Sequence, residues 1–350
     1  MTLTAGKWRG LRRMADRSGR FKMLAVDQRP PIKNLVADRR GVDNAPDNDV
    51  ADVKRALVEC LAGEATAVLM DPHGAYPAAA DALDPGTGLI ATLEDSIFED
   101  TPGGRRSSQI DDWSVAKIKR MGADGVKVLA WYRPDADAEI CRHQEAFVED
   151  IGQACAQYDI PFVFELLVYP LAGEADQTTD YVEHQSKHPQ RVLDSVERFA
   201  DPKFGVDLFK LESPIPASAL PDPASDEGAE VQGIFNRLGK LAGRPWVMLS
   251  AGADKPAFER VLHYAYGAGA HGYLAGRAIW WQAFQKFPDV AAIKEELSRD
   301  GVAYMKKIGA LTDERASIWH QHESFGPKGA NFSDRGPGFR HAYADFEGSA

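Results

Sequence analysis

The sequence predicts an α/β chain folded as a (β/α)8 TIM barrel, and three observations carry that expectation. Eight short apolar runs recur along the 350 residues, segments of helical periodicity separate them, and most runs end in a charged or polar residue. A doubly wound open sheet fits less well. It would usually place a glycine-rich phosphate loop after its first strand, whereas the first run here ends Asp27-Gln28-Arg29-Pro30, with neither GxGxxG nor Walker spacing.

Taken in order, Thr4 to Ser18 read as a short amphipathic helix anchored by Leu11 and Met14 and stopped at Gly19. The first strand is expected over Met23 to Gln28, the second over Ala67 to Pro72 and the third over Gly88 to Glu94, with a helix from Val53 to Leu61 between the first two. Asp95 to Ser108, with its glycines and arginines, reads as loop; Trp113 to Met121 reads as helix. Gly125 to Tyr132 is the fourth strand, Ile140 to Tyr158 a long helix with one apolar face, and Pro161 to Tyr169 a fifth strand interrupted by Glu165. A polar loop leads to a helix around Arg191 to Phe199. The sixth strand is Val206 to Pro214, the seventh Pro245 to Ser250 and the eighth Gly272 to Arg277, with helices expected over 231–241, 258–266 and 290–308. Residues 1–325 are expected to form a single (β/α)8 barrel domain and 326–350, rich in Gly, Asp and Arg, an irregular C-terminal extension.

Composition narrows the function classes. A net charge of −11 argues against nucleic acid or an anionic membrane as the main partner. No run has the apolar length of a membrane span, and the basic start lacks a signal region, so a cytoplasmic protein is expected. The three cysteines, Cys60, Cys141 and Cys155, have no zinc-binding or redox spacing. His184 and His188 are four apart and could share a helix face, but they lack the HExxH pattern; with His320 and His322 they read as surface residues. No metal and no cofactor is expected, and His73 is the one histidine close to a strand end.

In a (β/α)8 barrel, chemistry gathers where strands end. Those ends carry Asp27, Asp71, Glu94, Lys127, Glu165, Lys210, Ser250 and Arg277. Alone, the sixth strand favours a structural Lys210 paired with Glu212 or a neighbour, because a buried ammonium needs a partner. The whole set shifts the balance toward function. Two neighbouring lysines should depress each other's pKa, and an amine near neutrality can attack a carbonyl to form an imine. Glu165 could then relay protons, and Lys127 and Lys210 remain equal candidates for the amine. Ser250-Ala251-Gly252 and Ala275-Gly276-Arg277 follow strands seven and eight, where barrels often bind phosphate through backbone N–H groups and a forked cation.

These residues resemble the class I tagatose 1,6-bisphosphate aldolases of the DeoC/LacD type, with the related sulfofructose phosphate aldolases, from about Leu3 to Trp319. Its specific parts are Leu24 to Arg29, the run from His188 through Phe204-Gly205-Val206-Asp207 to Lys210-Leu211-Glu212-Ser213-Pro214, then Leu249 to Gly252 and Ala275 to Trp280. The resemblance implies that Lys210 forms the Schiff base, Glu165 is the acid/base residue, Lys127 the second lysine, and Asp27 a positioner of substrate hydroxyls and the amine. It also implies that Gln28 and Arg29 bind substrate, and that Ser250, Gly252, Gly276 and Arg277 bind the anion. The implied reaction cleaves a ketose phosphate or bisphosphate to dihydroxyacetone phosphate and an aldehyde such as glyceraldehyde 3-phosphate. Leu166 to Gly173, Ser213 to Gly228 and the tail after Phe325 depart from the family pattern, which leaves the far end of the sugar open.

The competing readings are a sulfofructose 1-phosphate-type aldolase, a metal-dependent barrel aldolase and a non-catalytic sugar-phosphate sensor. A sensor would need the anion loops but not Lys127, Glu165 and Lys210 together. The partner expected is a small sugar phosphate, and the outer helices are a candidate surface for homo-oligomers.

Overall fold

The apolar runs form strands because their side chains are covered on both faces, alternate residues pointing into the barrel and out toward the helices. The computed structural model describes residues 2–174, 184–333 and 335–343. Its eight parallel strands are β1 (Phe21–Ala25), β2 (Ala67–Met70), β3 (Gly88–Thr92), β4 (Gly125–Trp131), β5 (Phe162–Leu167), β6 (Leu208–Leu211), β7 (Trp246–Met248) and β8 (Gly272–Ala275). They close in sequence order, with β1 hydrogen-bonded to both β2 and β8. The expected (β/α)8 barrel is therefore what the chain forms.

The two faces make two cores. Met23, Ala25, Ala67, Leu69, Ile90, Val163, Leu208, Val247 and Leu274 cluster as the barrel interior. The alternate residues, such as Leu24, Val68, Ala91, Val126, Phe164, Phe209, Met248 and Tyr273, join the helices in the larger outer core.

One end of the interior is plugged. The helix Ala5–Met14 contributes Leu11 and Met14 to the interior cluster, and Gly10 lies so close to the strand entrances that a Cβ would stand 2.3 Å from the Asp124 carbonyl. Lys7 pairs with the buried Asp207 at 2.7 Å. Asp159 accepts from the Gly6 and Lys7 amides at 2.7 and 3.0 Å, and from the hydroxyls of Thr4 and Tyr343. The described tail packs over this plug, where Phe332 bridges to Leu3 and its ring lies tilted against Trp8 with centroids 5.3 Å apart. With the N-terminal end filled, access to the interior lies at the C-terminal ends of the strands.

Several boundaries differ from expectation. The first helix stops at Met14 because Ala15 is extended, and Asp16 then organises the turn through the amides of Ser18 and Arg20. Residues 95–108 are not merely loop. Glu99–Thr101 and Gly104–Arg106 form an antiparallel hairpin, held down by the buried Arg105 guanidinium, 4.3 Å from the Phe98 ring, 4.7 Å from Trp131 and 5.0 Å from Tyr169. Helix Pro30–Arg40, which starts with prolines and has weak apolar periodicity, was not anticipated. The eighth strand ends at Ala275, and Arg277 opens a helix reaching Phe284. The last long helix runs on to Arg315 through a π-helical segment at Leu297–Gly301. His184 and His188 do not share a helix: His188 caps the N-terminus of Pro189–Phe199 and His184 lies before it in irregular structure.

Barrel closure depends on one close approach. Gly272 has φ +143°, and a Cβ there would stand 1.8 Å from the Phe21 carbonyl oxygen, across the β1–β8 seam. Gly272→Ala is expected to destabilise the protein by roughly 3 kcal/mol or more, because the seam must open to admit the methyl group. Denaturant unfolding measures it, and a loss under about 1 kcal/mol would show that the seam relaxes easily.

Candidate active site

The interior-facing positions turn polar one layer above the apolar interior. On β3, Ile90 is followed by Thr92 and Glu94; on β4, Gly125 by Lys127; on β5, Val163 by Glu165; on β6, Leu208 by Lys210; and β1 runs on from Met23 and Ala25 to Asp27. Parallel pairing aligns these levels: Glu165 is in register with Lys210, and Thr92 with Lys127. Two-residue alternation and barrel register together therefore bring the charged groups into one layer.

The Lys127 ammonium lies 2.9 Å from Asp27 Oδ2, 2.7 Å from Glu94 Oε1 and 2.8 Å from Glu165 Oε2. Lys210 Nζ lies 2.8 Å from the same Glu165 Oε2. All five side chains are buried. Burial by itself would push the Lys127 ammonium down, but the charges of Asp27, Glu165 and Glu94 outweigh it and hold its pKa well above the ordinary lysine value. Burial would likewise raise the Asp27 and Glu165 carboxyls, and the neighbouring Lys127 and Lys210 reverse that, lowering both.

This corrects the expectation of a depressed pKa for Lys127. Lys127 is ringed by carboxylates and stays an ammonium, while Lys210 contacts Glu165 alone among them. Glu212, the structural partner first considered for Lys210, instead accepts from Lys187 at 2.8 Å and from the Val168 amide at 2.7 Å. Asp71 also leaves the ring. The chain turns after Met70, and its carboxylate pairs with the buried Lys54 and accepts from the Gly74 amide. His73 sits exposed on that same turn.

A cavity opens above the layer. Lys127, Lys210, Glu165, Asp27, Gln28, Arg29 and Glu94 line it, as do Ser250, Ala251, Gly276 and Arg277 on the β7–β8 side. Gly252 lies behind Arg277: it has φ +84°, and a Cβ there would meet the Arg277 guanidinium at 3.4 Å. Gly276 is required by proximity, since a Cβ would stand 2.7 Å from the Ala25 carbonyl and 2.8 Å from Gln28 Nε2. Leu129, Leu167 and Leu249 form an apolar wall. Arg29 lines the cavity but is also spoken for, donating to the Glu94 carbonyl at 2.8 Å and its carboxylate at 3.2 Å.

All ten residues singled out from sequence thus lie in or directly behind one cavity. What sequence reasoning left without a role is Glu94. It was counted among the strand ends, but its contacts with Lys127 and Arg29 are made to residues of other strand ends. Among the described residues no group of three or more His, Cys, Asp or Glu side chains is placed to hold a metal.

The charge layer makes stability depend on pH with a definite sign. Asp27 and Glu165 have lowered folded-state values, so their contribution is complete above about pH 4 and fades only as acid reaches those lower values. Lys127 has a raised value, so its contribution is complete below about pH 10 and fades at higher pH. Lys127→Met is expected to cost about 3–5 kcal/mol at neutral pH, because it leaves carboxylates buried without their shared cation. The deficit should shrink toward about pH 4 as those carboxylates take up protons. Unfolding free energies of both proteins between those pH values check this, and a pH-independent deficit would assign the loss to packing.

Comparison with known proteins agrees with this fold. Residues 21–282 match the family model described as DeoC/LacD family aldolase. A tagatose 1,6-diphosphate aldolase 2 of Enterococcus faecalis is 32% identical, over 91% of this chain and 97% of that protein. A tagatose 1,6-diphosphate aldolase of Listeria monocytogenes is also 32% identical, over 91% and 94% respectively. Among solved structures, fructose-bisphosphate aldolase from Plasmodium falciparum superposes with a TM-score of 0.59 at 14% identity, covering 88% of this chain and 96% of that one. A Schiff base-forming fructose-1,6-bisphosphate aldolase gives 0.54 at 18% identity, covering 87% and 98%. Identities this low speak for the fold, whereas the family match and the closer relatives speak for kinship. The chain belongs to the DeoC/LacD family of aldolases.

Proposed function

We propose that this enzyme is a class I aldolase that cleaves a ketose phosphate, with a tagatose 1,6-bisphosphate-like sugar as the leading substrate. The observation that carries the reading is the single Glu165 oxygen lying 2.8 Å from both lysines, one of which is held charged by two further carboxylates. The names of the relatives, which this chain covers almost end to end, support the sugar.

In this reading Lys210 is the nucleophile. Glu165, ionised by its neighbours, takes the proton from the Lys210 ammonium, and the amine adds to the ketose C2 carbonyl. Loss of water from the carbinolamine, with a proton supplied by Glu165, leaves a protonated imine. The C3–C4 bond then breaks, its electron pair entering the imine to form an enamine, as Glu165 removes the C4 hydroxyl proton and the aldehyde departs. Protonation at C3 and hydrolysis return Lys210 and release dihydroxyacetone phosphate. Lys127 stays cationic throughout and stabilises negative charge developing on substrate oxygens, and Asp27 orients hydroxyls and the amine. Ser250, Gly276 and Arg277 hold the phosphate, with Gly252 leaving room for the Arg277 guanidinium, while Gln28 and Arg29 contact the sugar.

Borohydride added with a ketose phosphate should trap a mass adduct on Lys210, and Lys210→Ala should abolish both adduct and turnover while the fold persists. Turnover at the wild-type rate in Lys210→Ala would sink the proposal. Arg277→Ala should raise KM for phosphorylated ketoses by roughly tenfold to a hundredfold, the loss of one charged hydrogen-bonding partner. Its KM for the unphosphorylated ketose should not change, and a parallel rise for both sugars would remove Arg277 from the phosphate site.

A further inference from the structure

Glu94 has no role in the reaction as drawn, yet it is the most fully engaged carboxylate of the layer. Its side chain is 1% exposed. Oε1 accepts from Lys127 Nζ at 2.7 Å and faces Arg29 Nη2 at 3.2 Å, and Oε2 accepts from the Thr92 hydroxyl at 2.7 Å. The backbone is held as well. The Arg29 guanidinium donates to the Glu94 carbonyl at 2.8 Å, Leu93 N donates to the Lys127 carbonyl at 2.9 Å, and Glu94 bridges to Gln109. Thr92 is completely buried on β3, so the hydroxyl that anchors Oε2 is itself fixed by the barrel.

We infer that Glu94 is a positioning residue for the aldol reaction, acting through Lys127. This rests on the reading of Lys210 as the imine-forming lysine. An ammonium has three N–H donors, and Lys127 meets three carboxylates from three strand ends: Asp27, Glu94 and Glu165. Glu94 is the member of that set whose oxygens are already taken by protein groups, so it works as an anchor. It draws Lys127 toward β3 and keeps it charged, within reach of Glu165 Oε2, where Lys127 competes with Lys210 for the same oxygen. That shared contact fixes where Glu165 Oε2 stands relative to Lys210 Nζ. Without the Glu94 charge, Lys127 loses one restraint and Glu165 pairs more strongly with Lys210. The other charges facing Lys127 and Lys210 are Asp27 after β1, Glu165 on β5 and Arg29 after β1, with the Lys54–Asp71 pair behind.

Glu94→Gln preserves shape and removes the charge. The expected result is a fall in kcat of about tenfold to a hundredfold, with KM little changed, since the change displaces a catalytic group rather than a binding contact. The alkaline limb of the kcat profile should also move to lower pH, because Lys127 then gives up its proton more easily. Thr92→Val, which keeps the charge but removes the anchor, should lower kcat and leave the alkaline limb in place, and it serves if Glu94→Gln folds poorly.

A second measurement needs no substrate. Pulse acetylation of the folded proteins across a pH series, read peptide by peptide by mass spectrometry, reports when Lys127 becomes a free amine. Labelling of Lys127 should begin at lower pH in Glu94→Gln than in the wild type. Unchanged labelling, or an unchanged kcat and alkaline limb in a folded Glu94→Gln protein, would overturn the inference. Absence of any Lys210 adduct in the wild type would instead count against the proposed reaction, with the labelling series still deciding whether Glu94 governs Lys127.

Discussion

One carboxylate oxygen, Glu165 Oε2, stands between two lysines, and the upper barrel is arranged around it. Bringing two ammonium groups to one buried oxygen is unfavourable unless further negative charge offsets it. Asp27 and Glu94 supply that charge, and both approach Lys127 rather than Lys210. The asymmetry follows from strand order. Lys127 sits on β4, next to β3 and its Glu94, whereas Lys210 on β6 is flanked by β5 and by β7, which offers Val247 and Leu249. Two lysines of equal chemistry thus acquire different surroundings because they stand on different strands.

Burial of a paired charge does not by itself mark function in this molecule. Lys7 with Asp207 ties the N-terminal helix under the barrel, Lys54 with Asp71 braces the turn after β2, and Lys187 with Glu212 secures the end of β6. Each is a pair whose carboxylate also accepts backbone amides, a pattern of structural satisfaction. The layer around Glu165 differs in that its charges are shared among several partners and line the cavity. An environment with more than one arrangement of protons is what an imine-forming reaction needs, and a closed pair cannot provide it.

The fold was legible because short apolar runs and helical segments alternate in the sequence, and each apolar run had to be covered on both faces. Local departures arose where the governing contact is distant. The Glu99–Arg106 hairpin depends on Arg105 meeting Trp131 and Tyr169 from later strands, and helix Pro30–Arg40 owes its start to prolines rather than to an apolar face. At the site, the residue types and their positions at strand ends were readable, as were the small residues after strands seven and eight. The partner of each charge was not. Glu212 lies two residues from Lys210 yet pairs with Lys187, and Asp71 falls on the interior-facing alternation yet turns away to Lys54.

Residue order alone specifies the class of fold, the end of the barrel that carries chemistry and the set of ionisable groups gathered there. Those properties follow from local periodicity and from where each strand stops. Packing of the strands settles which lysine is ringed by carboxylates, which carboxylate is shared, and that Glu94 belongs to the network. The reason is geometric: ion pairing depends on distances of about 3 Å between side chains from different strands, and barrel register and closure, not spacing along the chain, set those distances.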